Sequence, residues 1–470
     1  MRLLTFALPL FLTATALVAQ TEKATVRGTV TDSSGAVVPE AVITVTDIAT
    51  NSDRKTTSDA NGNYEIPDLQ PGTIRVKADK VGFRSFVAAS VLLDVGQVRR
   101  VDIPLQVGTA TETVTVEAGA ALIQTDSGTI SGDLDTRKKY PDTPLVDIYP
   151  SPLALLTTTA GIQGNGWNVV MGGISDRNKQ TWAMDGIAND TTGDQNDNPN
   201  FFEVVSVTTV DGGADNARAA SFNMVSRHGA NAFHGGVYYK HENSALNARD
   251  FFSPTKTPYI FHEFEAEASG RIIKNRTFFF AGWMHQSIPL GSFRTASVPT
   301  DLMRQGIFTQ FTTVLKDPST GQPFPGNAIP QTSFNTVSKA VQNLYYPTTN
   351  LGAPGALSLN YGWIFPYNSD LYKGDWPFVR IDHRVTDKNN LYVRWMKRLT
   401  PYVTPGPVPL LLNTSARDHR QLVVSDTHVF TSSLVNSFSF GHQTDLQHAG
   451  EKEKDVQPLA GDDVVKAIGL

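Results

Sequence analysis

Apolar and polar positions alternate along much of the chain. In Thr25-Val26-Arg27-Gly28-Thr29-Val30, Val26 and Val30 fall on one face. Ala41, Ile43 and Val45 share the next face, and Tyr64 with Ile66, Ile74 with Val76, and Val101, Ile103 and Leu105 continue the same rhythm. A period of two is that of a half-buried strand. Turn chemistry separates the runs at Asp32-Ser33-Ser34-Gly35, Asp59-Ala60-Asn61-Gly62 and Pro71-Gly72, residues that accept left-handed or fixed backbone angles. Short alternating strands at this spacing predict a β-sandwich over residues 24–108. The alternation returns after residue 230. Val379, Ile381, His383 and Val385 stand against Phe378, Arg380, Asp382 and Arg384; Val393 and Trp395 against Arg394 and Met396; Phe438 and Phe440 against Ser437, Ser439 and Gly441. One apolar face and one small or polar face suit a membrane barrel strand, with aromatic residues near the strand ends as its girdle. Strands of a soluble sandwich alternate too, so periodicity alone leaves both architectures open. Residues 286–375 and 399–418, rich in Pro, Asn and Thr, predict long outer loops with some helix.

The first twenty residues break the pattern. Arg2 precedes an uncharged apolar run from Leu3 to Val18, small residues at Ala16 and Ala19 follow, and polar Gln20-Thr21-Glu22-Lys23 comes next. This is the order of a secretory signal peptide, residues 1–20, cleaved near Ala19 or Gln20. An N-terminal anchor is the alternative, for which the apolar core is short. The rest of the composition narrows the partners. Among 470 residues, 37 Gly and 27 Pro are ordinary usage, which excludes collagen-like and low-complexity classes. Forty basic residues against 45 acidic ones give a net charge of −5, so no basic excess meets phosphates and nucleic acid is excluded as the main partner. There is no cysteine, which removes disulfides, thiolate metal sites, iron–sulfur clusters and cysteine nucleophiles. Mean hydropathy is −0.21, and past residue 20 no apolar run is long enough for a membrane helix.

Candidate catalytic chemistry is thin. His262-Glu263-Phe264-Glu265 has the H-x-x-E spacing of a carboxypeptidase zinc site. Tyr259 to Ala268 reads as extended, however, and side chains three apart on a strand point to opposite faces. No H-E-x-x-H or G-x-S-x-G occurs. The acidic stretch Asp190 to Asn198 offers oxygen ligands for calcium without the full EF-hand spacing and reads as a solvated loop. The expectation is a protein that is not an enzyme, with no catalytic residue, no metal and no cofactor.

Longer patterns carry resemblances. G-T-V-T-D-S-S-G-A-V-V-P-E-A-V-I-T-V (28–45), followed by S-D-A-N-G-N-Y-E-I-P-D-L-Q-P-G (58–72), resembles the carboxypeptidase regulatory-like domain. That implies a prealbumin-like or carbohydrate-binding-like sandwich, serving as a rigid spacer or a ligand-binding unit. Thr111 to Ala118 alternates strictly; alone, it reads as one more sandwich strand. It also resembles the energy-coupling box of TonB-dependent receptors, an extended segment (109–118) that adds to a sheet edge in the periplasmic protein TonB. Glu112, Thr113, Val114, Thr115, Val116, Glu117 and Ala118 would then make the coupling contact, gripped mainly through the main chain.

Residues 119–230 resemble the α/β plug domain of those receptors. Leu153-Ala154-Leu155-Leu156, Trp182-Ala183-Met184-Asp185-Gly186-Ile187 and Phe202-Glu203-Val204-Val205-Ser206-Val207 carry the likeness. Ala160-Gly161 and Asn216-Ala217-Arg218 depart from the usual Pro-Gly and Tyr-Gly-Arg. Asp185-Gly186 by itself is a hairpin turn signal. From residue 231, Asn231-Ala232-Phe233-His234-Gly235-Gly236-Val237-Tyr238-Tyr239 resembles the first barrel strand of an Oar-like TonB-dependent receptor. Leu246 to Phe252, Ile272 to Phe280 and Gly321 to Asn327 extend the match.

The expected fold is therefore mainly β: a sandwich (24–108), a coupling segment (109–118), a plug (119–230) and the first strands of an incomplete antiparallel outer-membrane barrel (231–470). About seven strands are legible after residue 230, against the roughly 22 of plugged outer-membrane transporters. A sheet edge cannot face lipid unpaired, so the sequence reads as the N-terminal part of a longer receptor. The resemblance implies an outer-membrane location with the sandwich in the periplasm. Its implied partners are TonB, outer-membrane lipid and an external ligand, with siderophore, cobalamin, oligosaccharide and peptide all open. A secreted or surface β-sandwich adhesin binding glycan or protein is the competing reading.

Overall fold

The computed structural model describes residues 23–94, 96–108, 113–116, 130–135, 162–163, 170–171, 173, 175, 180–188, 199–210, 220–249, 251, 256, 258–289, 291–365, 373–409, 412–431, 434–449, 466 and 468. The N-terminal unit contains β1 (Ala24–Asp32), β2 (Val42–Asp47), β3 (Ser52–Thr57), β4 (Asn63–Leu69), β5 (Gly72–Asp79), β6 (Ser85–Leu93), β7 (Val98–Arg100) and β8 (Ile103–Leu105). One sheet runs β4-β1-β7, with β8 also beside β1. The other runs β3-β2-β5-β6 and ends in β9 (Thr113–Val116). The residues on the alternating apolar face, among them Val26, Val30, Ile43, Val45, Ile74 and Val76, form the buried core between the sheets. The expected turns close as their chemistry requires. Asp32 Oδ1 accepts from the Ser34 backbone N–H at 2.8 Å and its hydroxyl at 2.6 Å, and Asp59 Oδ1 accepts from the Asn61 N–H at 2.8 Å. Gly28 is a point of close approach, since a Cβ there would lie 2.0 Å from the Val101 carbonyl oxygen. That oxygen also accepts from the Tyr64 hydroxyl at 2.6 Å, and burial pushes the Tyr64 phenol well above its ordinary pKa.

A second sheet follows, made of β10 (Ile130–Asp135), β13 (Gln180–Met184), β14 (Ile187–Ala188), β15 (Phe202–Val210) and β16 (Ala220–Ser226), with β11 (Ile162–Gln163) and β12 (Val170–Met171) as a separate pair. Its order is β10-β15-β16-β13-β14. The β13–β16 pairing is parallel and the others are antiparallel. Of the mixed α/β unit expected over 119–230, the described residues contain these strands and one 3-10 turn at Pro199–Phe201. Leu153 to Leu156, Ala160-Gly161 and Asn216 to Arg218 lie outside the described residues, as does the signal segment 1–20.

The third unit is a seven-stranded antiparallel meander. Its strands are β17 (His234–Asn243), β18 (Ile260–Ile273), β19 (Thr277–Ser287), β22 (Lys373–Thr386), β23 (Asn389–Pro405), β24 (Leu412–Thr431) and β25 (Leu434–Ala449). About seven strands are legible in the sequence after residue 230; the described residues there hold these seven and a separate pair, β20 and β21. At one end the connections are short, with turns at 274–276 and 387–388 and only two residues, 432–433, between β24 and β25; at the other they are 244–259, 288–372 and 406–411. Short turns on one side and long connections on the other are the habit of outer-membrane barrels. The longest connection carries a strand pair, β20 (Ser292–Ala296) with β21 (Tyr361–Phe365), and helices α1 (Asp301–Arg304) and α2 (Thr336–Tyr345). The expected loop over 399–418 is corrected. β23 and β24 stay paired from Leu399↔Asp418 to Pro405↔Leu412, leaving a connection of 406–411. Pro401 and Pro405 suggested a loop, but Thr400, Tyr402, Val403 and Thr404 are strand formers, and their pairing outweighs two missing donors.

The wall has two faces of different character. Val379, Ile381, Val393, Trp395, Phe438 and Phe440 are exposed, while Phe378, Arg380, Arg394 and Met396 are buried. The buried face packs on the second sheet. Met184, Phe202 and Phe222 from that sheet and Phe280, Phe378 and Met396 from the wall belong to one continuous core. Phe201 and Phe378 bring their ring centroids to 5.4 Å across it.

Candidate functional site: a buried ion cluster on the inner wall

Asp185 and Gly186 join β13 to β14 in a two-residue hairpin with Met184 paired to Ile187. Their φ angles of 51° and 73° are both left-handed, the requirement of a type I′ turn and the reason for an Asp-Gly pair. The turn does more than reverse the chain. It drives the Asp185 carboxylate, 1% exposed, into the wall.

Three groups meet it there. The Ser226 backbone N–H donates to Oδ1 at 2.8 Å. Arg394 Nε lies 2.5 Å from Oδ2, and Arg380 Nη1 lies 3.8 Å from Oδ1. The two arginines are direct cross-strand partners on β22 and β23. Like charges facing each other across strands repel, and Asp185 supplies the anion that both cations face. Arg380 also donates to the Ser226 hydroxyl at 2.7 Å and carbonyl at 3.1 Å. It holds Asp382 at 2.8 Å and lies 4.1 Å from the centroid of the Tyr392 ring. Arg394 donates to Gln421 Oε1 at 2.6 Å and rests 3.0 Å from the sulfurs of Met184 and Met396. Gln421 Nε2 passes the network to Gln443 Oε1 at 3.2 Å.

Two arginines and two aspartates make the cluster neutral, which is how buried charge is tolerated. A unit pair at about 4 Å is worth about 4 kcal/mol at an effective dielectric of 20. Further polar contacts extend the seam along β17 and β18: Arg227 with Glu267, Asn200 Nδ2 to Glu265 at 2.8 Å, and Lys240 to Glu263 at 3.0 Å. Chemically the arrangement fastens an inner sheet to a wall.

The coupling candidates lie elsewhere. Thr113 to Val116 form β9, parallel to β6 from Ser85↔Thr113 to Ala88↔Val116. Their position is that of one more sandwich strand, the alternative the alternation allowed. Glu112, Glu117 and Ala118 lie outside the described residues, as does Asp190 to Asn198. His262 and Glu265 fall on opposite faces of β18. His262 shares a hydrogen bond with the Tyr239 hydroxyl at 2.8 Å, whereas Glu265 is buried against Asn200. Sequence reasoning saw Asp185 as a turn residue and Arg380 and Arg394 as members of a polar face, and so missed their meeting. The available signal was an arginine on each of two neighbouring strands at inward positions flanked by Phe378 and Met396.

The model of the outer membrane beta barrel domain matches residues 225–467. The chain belongs to that family. The family indicates the cell outer membrane. The carboxypeptidase regulatory-like domain matches residues 25–106. A relative is the TonB-dependent transporter Oar of Myxococcus xanthus, 25% identical over 287 residues, covering 56% of this chain and 26% of Oar. The chain thus spans about a quarter of that relative's length. Among solved structures, the ferric-catecholate import receptor Fiu from E. coli K12 covers 68% of this chain and 50% of its own, at 12% identity and a TM-score of 0.32. Hydroxyquinol 1,2-dioxygenase from Pseudomonas putida DLL-E4 covers 19% of this chain and 57% of its own, at 13% identity and a TM-score of 0.17. Oar is named as a transporter.

Proposed function

We propose that this chain supplies the sandwich, plug and seven wall strands of a TonB-dependent outer-membrane transporter. The sheet β10-β15-β16-β13-β14 is the plug, domain boundaries fall near residues 108, 118 and 230, and the short-turn end of the wall faces the periplasm. The observation that carries the reading is Asp185, a buried carboxylate of the inner sheet held by Arg380 and Arg394 of a wall whose other face is apolar. A sheet fastened inside such a wall obstructs it, and an obstructed barrel needs an external pull to admit a ligand. The kinship with Oar supports TonB as the source of that pull.

Glu112 to Ala118 is the coupling segment in this reading. β9 ends its sheet among the described residues, so its outer edge presents free backbone groups for strand addition. The sandwich lies in the periplasm, delivered there by the signal segment. The ligand is taken up at the long-loop end. The test uses the chain's lack of cysteine: Thr113→Cys should crosslink to periplasmic TonB in energised cells, and absence of any TonB adduct refutes the coupling assignment.

A further inference from the structure

The sandwich touches the short-turn end of the wall through a small polar seam. Asn231, between β16 and β17, donates its backbone N–H to the Ala49 carbonyl at 3.0 Å and its side-chain Nδ2 to the Thr50 carbonyl at 3.0 Å. The same side chain donates to Asn275 Oδ1 at 2.9 Å and accepts from the Asn275 N–H at 2.9 Å. One residue thereby ties a sandwich loop to the turn between β18 and β19. The loop is shaped in advance, because Asp47 Oδ1 accepts from the N–H groups of Ala49 at 2.8 Å and Thr50 at 3.2 Å. Across the seam, Ser437 donates to Asp68 Oδ1 at 3.1 Å, and the Lys23 ammonium lies 5.9 Å from the Tyr392 ring centroid.

Two features mark the seam as built to separate. The sandwich core and the plug–wall core share no residue. Between them lies a cavity of about 110 Å³, bordered by Ser52, Arg54, His383 and Asn390. Opening the seam therefore breaks a few polar contacts and divides no shared core, and it wets the cavity lining, where Val45, Leu69 and Ile74 of the sandwich core stand. The seam also gathers backbone in an uncommon conformation: Asn51, Asp68 and Asn275 have φ of 58°, 61° and 59°. Asn and Asp accept such angles in turns, so the loops on both sides of the seam are shaped before they meet.

We propose that the sandwich is a releasable lid, seated by Asn231 and Asp68 across the periplasmic end of the barrel, and that TonB-driven work unseats it. This rests on the transporter reading. Lumen-facing Asp382, Tyr392 and Thr427 border the same cavity, so the seated sandwich covers the route a ligand would leave by.

Ser52→Cys and Asn390→Cys, both bordering that cavity, provide the test in the protein's native outer membrane, with a short bis-maleimide as the crosslinker. The pair should join readily in resting membranes and much less when TonB is energised. Asn231→Ala, in the same background, should shift the seated–unseated ratio about fivefold, the equivalent of one lost hydrogen bond. A yield indifferent to Asn231→Ala overturns the latch. The TonB adduct of Thr113→Cys, measured in parallel, separates the two ideas. If the adduct forms and energisation leaves the Ser52–Asn390 yield unchanged, the lid is wrong and the transporter reading stands. If no adduct forms, both fall.

Discussion

Replacing Asp185 with Asn tests the buried cluster with little change of shape. Asn accepts the left-handed φ of 51° at this turn position, and its amide oxygen retains the bond from the Ser226 N–H. What changes is the other oxygen, now an NH₂ aimed at Arg394 Nε, where the carboxylate stood at 2.5 Å. Donor faces donor, and Arg380 and Arg394 are left directly opposite each other with Asp382 as their remaining anion. Removing one partner of a buried pair costs about 3–5 kcal/mol; with the Ser226 bond kept, about 3 kcal/mol is expected. At about 1.36 kcal/mol per decade, that is roughly a 150-fold rise in opening of the inner sheet. Hydrogen exchange at the Phe222 and Met224 amides, in the ladder beside β13, reads this directly. The double variant Asp185→Asn with Arg394→Met removes the orphaned cation, and a coupling of about 1.5–3 kcal/mol should appear. If exchange in Asp185→Asn stays within about threefold of the parent (~0.65 kcal/mol), or the two changes simply add, the cluster does not fasten the sheet.

Three further outcomes follow from local geometry. Gly28→Ala should lower the melting temperature of the sandwich by roughly 12–24 °C, since a Cβ 2.0 Å from the Val101 carbonyl forces β1 away from the link between β7 and β8 at a cost of about 3 kcal/mol; an unchanged melting curve refutes the close approach. Hydrogen bonds from Ser34 hold the Asp32 carboxyl below its ordinary 3.8, so its contribution is complete above that value and vanishes as pH falls through the lower folded value. The melting difference between Asp32→Asn and the parent should therefore close on acidification and stay constant from pH 5 to 8. Val114→Pro removes a donor from β9 and should abolish the TonB adduct of Thr113→Cys; a lower sandwich melting point with an undiminished adduct leaves β9 an ordinary strand.

The sandwich was legible because its information is local. Val26, Val30, Ile43 and Val76 reach the core by a period-two pattern, and Gly35 and Gly62 sit in the predicted turns where φ is positive. The wall was legible for the same reason, strand by strand. What alternation withholds is which unit a face meets. Arg380 and Arg394 alternate with Val379 and Trp395 as a water-facing barrel interior would, yet both are fully buried because another sheet occupies that side. Their partner Asp185 is about 200 residues away in sequence, and nothing in the local pattern of either segment names the other. The loop expected at 399–418 failed for a related reason. Proline is a local signal against pairing, whereas the β23–β24 register is a property of the two strands together.

The two contacts of the inner sheet and the sandwich differ in kind, and the difference sets an order of release. The lid seam consists of a few hydrogen bonds, one of them to the Asp68 carboxylate, around a cavity, each worth about 1–2 kcal/mol net because water replaces what is lost. The Asp185 cluster is fully buried and charged, and water cannot replace its partners until the sheet has already moved. A pull applied at Thr113 to Val116 loads the sandwich through the pairing of β9 with β6 and the inner sheet through the chain that leads on to β10; the seam, with the weaker contacts, gives way before the ion cluster. Force traces from single molecules held at Thr113 should show a weak early release that Asn231→Ala shifts to lower force. A later, stronger release should be lowered by Asp185→Asn alone. If Asp185→Asn instead lowers the first event, the seam and the cluster are one cooperative unit, and the lid has no separate opening step.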